Sequence, residues 1–453
     1  MLTRRSLLGS TAVLGGSAVL AAGCSTAWKP FAPPSAPQDA EVKVAAFTRS
    51  IYLSMPYGSY VDGDDNEDRF ERALVALEED EANAYGPKRG GYSLALRFVE
   101  NFYPPYEEAA EEPKTDEEIE VAREASLASV AETLDTLDAD LVTVWPHEAR
   151  WWGEKGLLLP LDRFSGAEES ELNREFFPTA LNQYRRDGAL YALPVDTAPL
   201  MLFYDPEHFF NQGVPMPDAT WDWDDLVRSA VKLIASKQNG TVARWGLIAH
   251  ANGVSWALWQ NEATIVDVDT QQCHLQEPAA VEALKFVHDL LHKHRVSPLA
   301  EMRDLWDYLW VTPPAMLYDY PPMILNQRNS FRMASLPRGK VSATPVRTHL
   351  GIGIAARTQR TEAAFMALKG FNRAMQEHVA IPAGREAVAR LADIRTDISP
   401  EEVVAVQSSL DHGREWPQHG LQLQIMWELT QSLGRGDDVA TIVNQACSIA
   451  HEY

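Results

Sequence analysis

The stretch at residues 188–205, GALYALPVDTAPLMLFYD, sets the strongest limit on the fold because it joins two apolar runs by a short polar elbow. Pro194 ends regular pairing of the first run, since it has no N–H to give to a strand ladder. The second run, residues 200–204, is short and wholly apolar, so it predicts a buried strand. Asp196 and Thr197 then lie between two cores. This pattern favours a chain crossing between two α/β lobes with polar groups facing a cleft, and a hairpin with a solvated Asp196 is the alternative.

Length and charge narrow the class of protein. The chain has 453 residues, of which 45% are hydrophobic, which is ample for two cores and long for one domain. Its formal net charge is −24. An anionic surface argues against binding nucleic acid or an anionic membrane face through charge, so we expect no nucleic-acid partner.

The first 24 residues have the pattern of a targeting segment. Arg4 and Arg5 form a twin-arginine pair, and a small apolar run at residues 14–23 follows. The sequence LAAG before Cys24 is typical of a lipoprotein cleavage box, so we expect lipidation of Cys24 and export by the Tat or the Sec route. An ordinary signal peptide or an uncleaved anchor is the alternative. Residues 25–41 are proline-rich and predict a flexible tether.

The motifs of metal and cofactor sites are incomplete in this sequence. Cys273 and Cys447 form one disulfide or none, and neither belongs to a CxxC pair of the kind that binds zinc. Residues 62–68, DGDDNED, begin like a calcium loop but lack its glycine and its closing glutamate. His147 begins an HExxH-like run that ends in Trp151. We therefore expect no metal and no cofactor.

The first part of the chain alternates strands with a helix. Apolar runs at residues 42–47, 94–99 and 140–145 predict strands, and residues 118–137 have helical spacing. Such alternation is typical of a mainly parallel sheet with covered faces. Ligands bind at the carboxyl ends of the strands in these sheets, where Trp145 and His147 are placed.

The second part repeats α/β patterns and ends in helices. Asp222 predicts a helix N-cap, and an apolar run at residues 315–318 leads into a polar, proline-stopped elbow at residues 319–322, with the same build as the first crossing. Further strands are predicted at residues 244–248 and 348–356, and further helices at residues 278–294, 362–371, 421–433 and 437–450. A second α/β lobe is the natural interpretation.

Aromatic side chains beside polar groups are the chemistry that this sequence offers. An aromatic ring covers the apolar C–H face of a sugar, while acids, amides and histidines bind its hydroxyls. Trp145 and Trp416 each adjoin proline and polar residues, whereas Trp256 and Trp259 also fit a core. Paired carboxylates such as Glu148 and Asp196 would suit a glycosidase, which is the alternative.

The order of several motifs resembles that of a known family. These motifs are DLVTVWPHEARWWGEKGLLLPLDRF at 140–164, the crossing at 188–205, GVPMP at 213–217, TWDWDDL at 220–226, PAAVEAL at 278–284 and SLPRG at 335–339. Together they resemble the bacterial extracellular solute-binding proteins of family 1, the maltose-binding-like receptors of ABC importers. The resemblance implies an α/β, two-lobed periplasmic-binding-protein-like fold of type II. Lobe I would comprise residues 42–195 and 320–371, and lobe II residues 196–319 and 372–453.

The resemblance also implies a function. It predicts a lipid-anchored, extracytoplasmic and monomeric receptor that closes on a small solute, a carbohydrate by this analogy, and delivers it to ABC permease transmembrane subunits without chemical change. The implied ligand contacts are Trp145, His147, Asp196, Trp256, Trp259, Asp319, Tyr320 and Trp416. The alternatives are a carbohydrate-active hydrolase, a receptor for a non-sugar solute and a structural lipoprotein. The chain departs from the family at residues 318–322, where glycine and tryptophan are usual, and at residues 347–349, where a glycine-rich turn is usual.

Overall fold

A computed structural model describes residues 40–47, 92–99, 116–164, 169–249, 253–299, 313–324 and 331–452. The predicted targeting segment with Cys24, nearly all of the predicted tether and the acidic loop at residues 62–68 lie outside these described residues. Among the described residues, no helix combines the length and the apolar character needed to cross a membrane.

The strands and helices are numbered here in chain order. The strands are β1 (Ala40–Phe47), β2 (Tyr92–Val99), β3 (Leu141–Val144), β4 (Arg185–Arg186), β5 (Ala189–Leu190), β6 (Ala192–Pro194), β7 (Ala198–Pro199), β8 (Met201–Tyr204), β9 (Ala235–Ser236), β10 (Val242–Arg244), β11 (Met316–Asp319), β12 (Arg332–Ala334), β13 (Thr344–Arg347), β14 (Gly351–Ile354) and β15 (Gly413–Glu415). The helices are α1 (Asp116–Thr136), α2 (Pro146–Glu154), α3 (Glu169–Glu175), α4 (Pro178–Asn182), α5 (Pro206–Gln212), α6 (Trp223–Lys232), α7 (Ser255–Gln260), α8 (Pro278–His292), α9 (Pro321–Ile324), α10 (Thr361–Met375), α11 (Arg385–Ala389), α12 (Leu391–Ile394), α13 (Pro400–Asp411), α14 (Gly420–Arg435) and α15 (Val439–Glu452).

The first sheet has the strand order β2-β1-β3-β14-β6. Strands β1, β2 and β3 are parallel, which confirms the prediction for these three, whereas β14 runs antiparallel to both β3 and β6. Helix α10 packs against β1, β2 and β14, because its alanine and leucine positions turn one apolar face to the sheet. The resulting core includes Val44, Val142, Ile352 and Phe371, each fully buried.

The second sheet, β11-β8-β12, is antiparallel and has cores on both of its faces. Side chains alternate along β8, so Leu202 packs into one core and Met201 and Phe203 pack into another. The first of these cores is formed with α6, α7, α8, α14 and α15, and the second is covered by α11, α12 and α13. Burial on both faces explains why this strand is apolar throughout.

The prediction of a strand over residues 244–248 is wrong in its bounds. Strand β10 ends at Arg244, and Ile248 makes only a single parallel bridge to Leu317. The N–H of Leu247 donates instead to the carbonyl of Val296, so this segment is held by bonds to two different neighbours rather than by one ladder.

A crossing region, defined as residues 194–199, 344–350 and 380–384, joins the first sheet to the rest of the chain. Strands β7 and β13 of this region pair with each other, and β13 also pairs with β15 outside it, which gives a small three-stranded sheet. Val195 donates to Leu350, Thr197 donates to Ile381, and Asp196 forms a bridge with Pro382. The first elbow is therefore held by backbone hydrogen bonds on two sides, as expected of a chain crossing.

The sequence left open whether the two cysteines form a disulfide, and in the structure they do. Cys273 and Cys447 are bonded, with Cα atoms 5.5 Å apart. The bond connects α15 to the segment that precedes α8, on the side of the core formed by the C-terminal helices.

Candidate functional site

Asp196 lies at the centre of the crossing region and is only 1% exposed. Its Oδ1 accepts hydrogen bonds from the backbone N–H groups of His349 at 2.9 Å and Leu350 at 2.7 Å. Its Oδ2 lies 2.9 Å from Nδ1 of the His349 ring. Both oxygens of this predicted site residue are thus used to hold the first crossing against the start of β14.

The second crossing begins where β11 ends, at Asp319 and Tyr320. Both are buried, and Oδ1 of Asp319 accepts from the N–H of Tyr320 at 2.7 Å. Burial raises the pKa of the Tyr320 hydroxyl to about 12, and the nearby positive charge of Arg347 acts in the opposite direction. The phenol therefore stays protonated at neutral pH and can donate a hydrogen bond.

Tyr320, Arg347 and Trp416 form what we call the arginine corner. The rings of Tyr320 and Trp416 meet edge to face, with centroids 6.4 Å apart and planes at 89°. The guanidinium carbon of Arg347 lies 3.7 Å from the Trp416 centroid and 4.4 Å from the Tyr320 centroid. The N–H of Trp416 donates to the carbonyl of Val346 at 2.9 Å, which places the ring beside β13. One face of Trp416 is thus covered by a cation.

Trp145 and His147 lie together at the carboxyl end of β3, at the start of α2. Their rings meet edge to face with centroids 5.5 Å apart. The N–H of Trp145 donates to Oε2 of Glu148 at 2.8 Å, and Pro146 occupies the first turn, so the local sequence starts the helix at this point. Trp145 is half-buried and His147 is exposed.

Charged groups on α2 and β15 also influence one another. Nδ2 of Asn182 donates to Oε1 of Glu415 at 2.7 Å. Desolvation raises the pKa of the Glu415 carboxyl although the residue is exposed, and Arg150 opposes that rise. Burial and the charge of Arg186 lower the pKa of Arg150.

Trp256 and Trp259, on α7, are both buried. Trp256 has no exposed surface and packs against Trp223, Phe286 and Tyr318, the last at 4.8 Å between centroids. Its ring is fully covered by protein in this conformation. Trp259 is 8% exposed.

The structure brings the predicted residues together in two pairs, Tyr320 with Trp416 and Trp145 with His147. Sequence reasoning did not select Arg347, Arg150 or Glu415. The sequence contained one indication of Arg347, because residues 347–349 replace the glycine-rich turn that is usual in the family. That departure did not reveal which side chains Arg347 contacts.

Comparison of the sequence with known proteins identifies its family. The sequence profile of the bacterial extracellular solute-binding proteins matches residues 97–365, which is more than half of the chain. The chain belongs to this family. Its members are binding proteins, and the family is extracellular.

Solved structures of solute-binding proteins have the same fold. The ABC substrate-binding protein Lmo0181 from Listeria monocytogenes, solved with cycloalternan, matches with a TM-score of 0.61 at 16% identity over 92% of this chain and 98% of that one. The cyclic α-maltosyl-1,6-maltose-binding protein from Arthrobacter globiformis matches with a TM-score of 0.62 at 16% identity over 91% and 97%. The α/β, two-lobed periplasmic-binding-protein fold is thereby shown.

A mannitol-binding protein from Pseudomonas aeruginosa is similar in sequence over a shorter region. It is 28% identical over 138 residues, which are 27% of this chain and 31% of that protein. The match therefore spans about a third of the length of the curated relative.

Proposed function

We propose that the protein is the receptor subunit of an ABC importer, and that it closes its two lobes on a carbohydrate and delivers it intact to the permease. The observation that carries the proposal is membership of the solute-binding family. Support for the ligand class comes from solved relatives that hold cycloalternan or maltotetraose and from the mannitol-binding relative.

The site residues fit this function in different roles. Trp145, His147 and the arginine corner offer aromatic surface and polar groups to a solute, while Asp196 holds the crossing strands in place. A solute that touches both lobes would favour the closed state, because it gains those contacts only there. The division into residues 42–195 with 320–371 and residues 196–319 with 372–453 remains our proposal for the two lobes.

The hydrolase alternative has less support. It needs two carboxylates free to act as acid and base. Oε2 of Glu148 accepts the N–H of Trp145, and both oxygens of Asp196 accept bonds from His349 and Leu350. Since both acids serve to hold the local backbone, the geometry favours binding without chemistry.

We further propose that Cys24 is lipidated and that residues 25–41 tether a monomeric receptor outside the membrane, next to its permease. The pattern before Cys24 and the proline content of the tether support this arrangement. Metabolic labelling with a fatty acid, compared between the native protein and Cys24→Ala, tests the anchor. Equal labelling of both would refute it.

A thermal-shift screen followed by recovery of the ligand tests the receptor function. The purified protein is heated with hexitols, monosaccharides and oligosaccharides, and with amino acids as a comparison. A ligand at a hundred times its dissociation constant should stabilise the fold by about 2.7 kcal/mol. We expect a shift with a carbohydrate that is then recovered unchanged by chromatography. Recovery of a cleaved sugar would support the hydrolase, and a shift with amino acids alone would refute the carbohydrate class.

A further inference from the structure

Arg347 carries a positive charge for which the described residues supply no carboxylate partner. Its side chain is half-buried, and its Nε is buried and donates to no acceptor in the described part of the chain. Its guanidinium lies over the rings of Tyr320 and Trp416. Burial raises the pKa of the Tyr320 hydroxyl, while the charge of Arg347 and a side-chain hydrogen bond from it both act to lower that pKa. An arginine in this state is unusual in a chain with 64 acidic residues and a net charge of −24.

The acids near the crossing region are bound to other groups. Asp196 accepts from His349 and Leu350 through both of its oxygens. Glu415, which precedes Trp416, accepts from Asn182, and the cation that acts on its carboxyl is Arg150. Neither acid therefore neutralises Arg347.

The arginine corner holds the guanidinium in a fixed place. Two rings at right angles contact it, and the 3.7 Å distance to the Trp416 centroid is that of a stacked cation. A guanidinium stacked on a ring keeps its N–H donors in its own plane, at its edges. That fork of donors matches two oxygens of a carboxylate or a phosphate, and stacking reduces the freedom lost when they bind.

We propose that the solute carries an anionic group, a carboxylate or a phosphate, and that Arg347 binds this group at the arginine corner. The inference rests on the proposed function and narrows its substrate class to acidic carbohydrates. Arg347 is then the residue that selects acidic over neutral solutes. Trp416 positions the guanidinium rather than stacking a sugar on the face that Arg347 covers.

Isothermal titration of the purified full-length protein with two matched sets of solutes tests the inference. The first set is mannitol, mannonate and mannitol 1-phosphate, and the second is glucose, glucuronate and glucose 6-phosphate. We expect one anionic member to bind at least ~10-fold more tightly than its neutral parent, because a charge-assisted bidentate contact is added. Tight binding of mannonate or glucuronate would identify the group as a carboxylate, and tight binding of a sugar phosphate would identify it as a phosphate.

Variants of two arginines distinguish a direct contact between Arg347 and the anion from the long-range electrostatic effect of the protein's net charge. Arg347→Met keeps an unbranched apolar stem but removes the charge, so the anion should lose ~10-fold or more in affinity and the neutral parent should lose much less. Arg414→Met is the matched control, because Arg414 is exposed on the neighbouring β15 and gives the same change in net charge. Unfolding of each variant without solute confirms that it is folded.

The outcomes that overturn the inference differ from those that overturn the function. A neutral parent that binds as tightly as its anionic relatives overturns the inference and leaves a carbohydrate receptor. Equal losses in Arg347→Met and Arg414→Met also overturn it, since a long-range field would then account for the preference. Failure of all six solutes to bind overturns the inference together with the hexose and hexitol classes of the proposed function.

Discussion

At the scale of single residues, two predicted ligand tryptophans have opposite surroundings. Trp256 has no exposed surface and packs in a core, whereas Trp416 is half-buried and stacks on Arg347. Trp256→Ala should lower the free energy of unfolding by about 3–5 kcal/mol, because it leaves a cavity in that core. Trp416→Ala should lower it by about 1 kcal/mol through loss of the cation–π contact, and should weaken solute binding.

Urea denaturation and titration calorimetry of these two variants check that contrast. Each variant serves as the control for the other, because both replace the same residue type. A small loss of stability in Trp256→Ala, or a large one in Trp416→Ala, would contradict the assignment of core and cleft.

The site was predictable from sequence only where a residue's neighbours in the chain reveal its surroundings. Trp145 is the last residue of a predicted strand and precedes proline, so its place at a strand end could be inferred. Trp256 could not be separated from a site residue, since Trp223, Phe286 and Tyr318, which cover it, are distant in sequence. Arg347 was missed for the same reason, because the two rings that hold it directly follow β11 and β15, which are distant in sequence.

At the scale of elements, the disulfide ties α15 to the segment before α8. Its two cysteines are 174 residues apart, so the bond removes much freedom from the unfolded chain. The double variant Cys273→Ser, Cys447→Ser should unfold at lower urea, with a loss of about 2–5 kcal/mol. Reduction of the native protein is the control and should give a similar loss. An unchanged midpoint would show that helix packing alone holds α15.

A histidine on helix α8, His288, makes the free energy of unfolding depend on pH. Burial lowers the pKa of His288 below its ordinary value of 6.5, and the stacked His292 ring, 4.0 Å away, adds to this effect. Asp289 and Asp438 oppose it. Since the folded pKa is the lower one, the contribution is present above pH 6.5 and is lost as the pH falls through the folded pKa.

Melting curves recorded between pH 7.5 and pH 5 test this prediction. The quantity compared is the fall in melting temperature with pH, in the native protein and in His288→Gln. His288→Gln cannot take up the proton, so its melting temperature should fall less on acidification than that of the native protein. His451→Gln, which changes an exposed histidine on α15, is the control and should follow the native protein. A native slope in His288→Gln would contradict the assignment.

The elements that were predicted from the sequence are those whose signals are local. Asp222 caps α6 as expected, accepting the N–H of Asp225 at 2.9 Å, and proline starts α8. The antiparallel β14 could not be predicted, since a buried Gly-Ile-Gly-Ile strand has the same pattern in either direction. Strand β10 ended early because Leu247 bonds to Val296, a partner that periodicity does not reveal.

At the scale of the whole molecule, the proposed closure predicts a change of size. Binding of the solute should reduce the radius of gyration in small-angle X-ray scattering, because the lobes come together around the ligand. Arg347→Met, measured with the same concentration of the preferred acidic solute, should remain largely open. A radius that is equal with and without saturating solute would contradict hinge closure.

The position of β14 has a consequence for how the chain acquires its structure. This strand lies between β3 and β6 in the first sheet, yet it follows β3 by about two hundred residues. At the usual pace of a ribosome, roughly 10–40 seconds separate the synthesis of the two strands. During that interval β3 has an open edge that other chains can pair with. Completion of the first sheet therefore waits until most of the polypeptide has been synthesised.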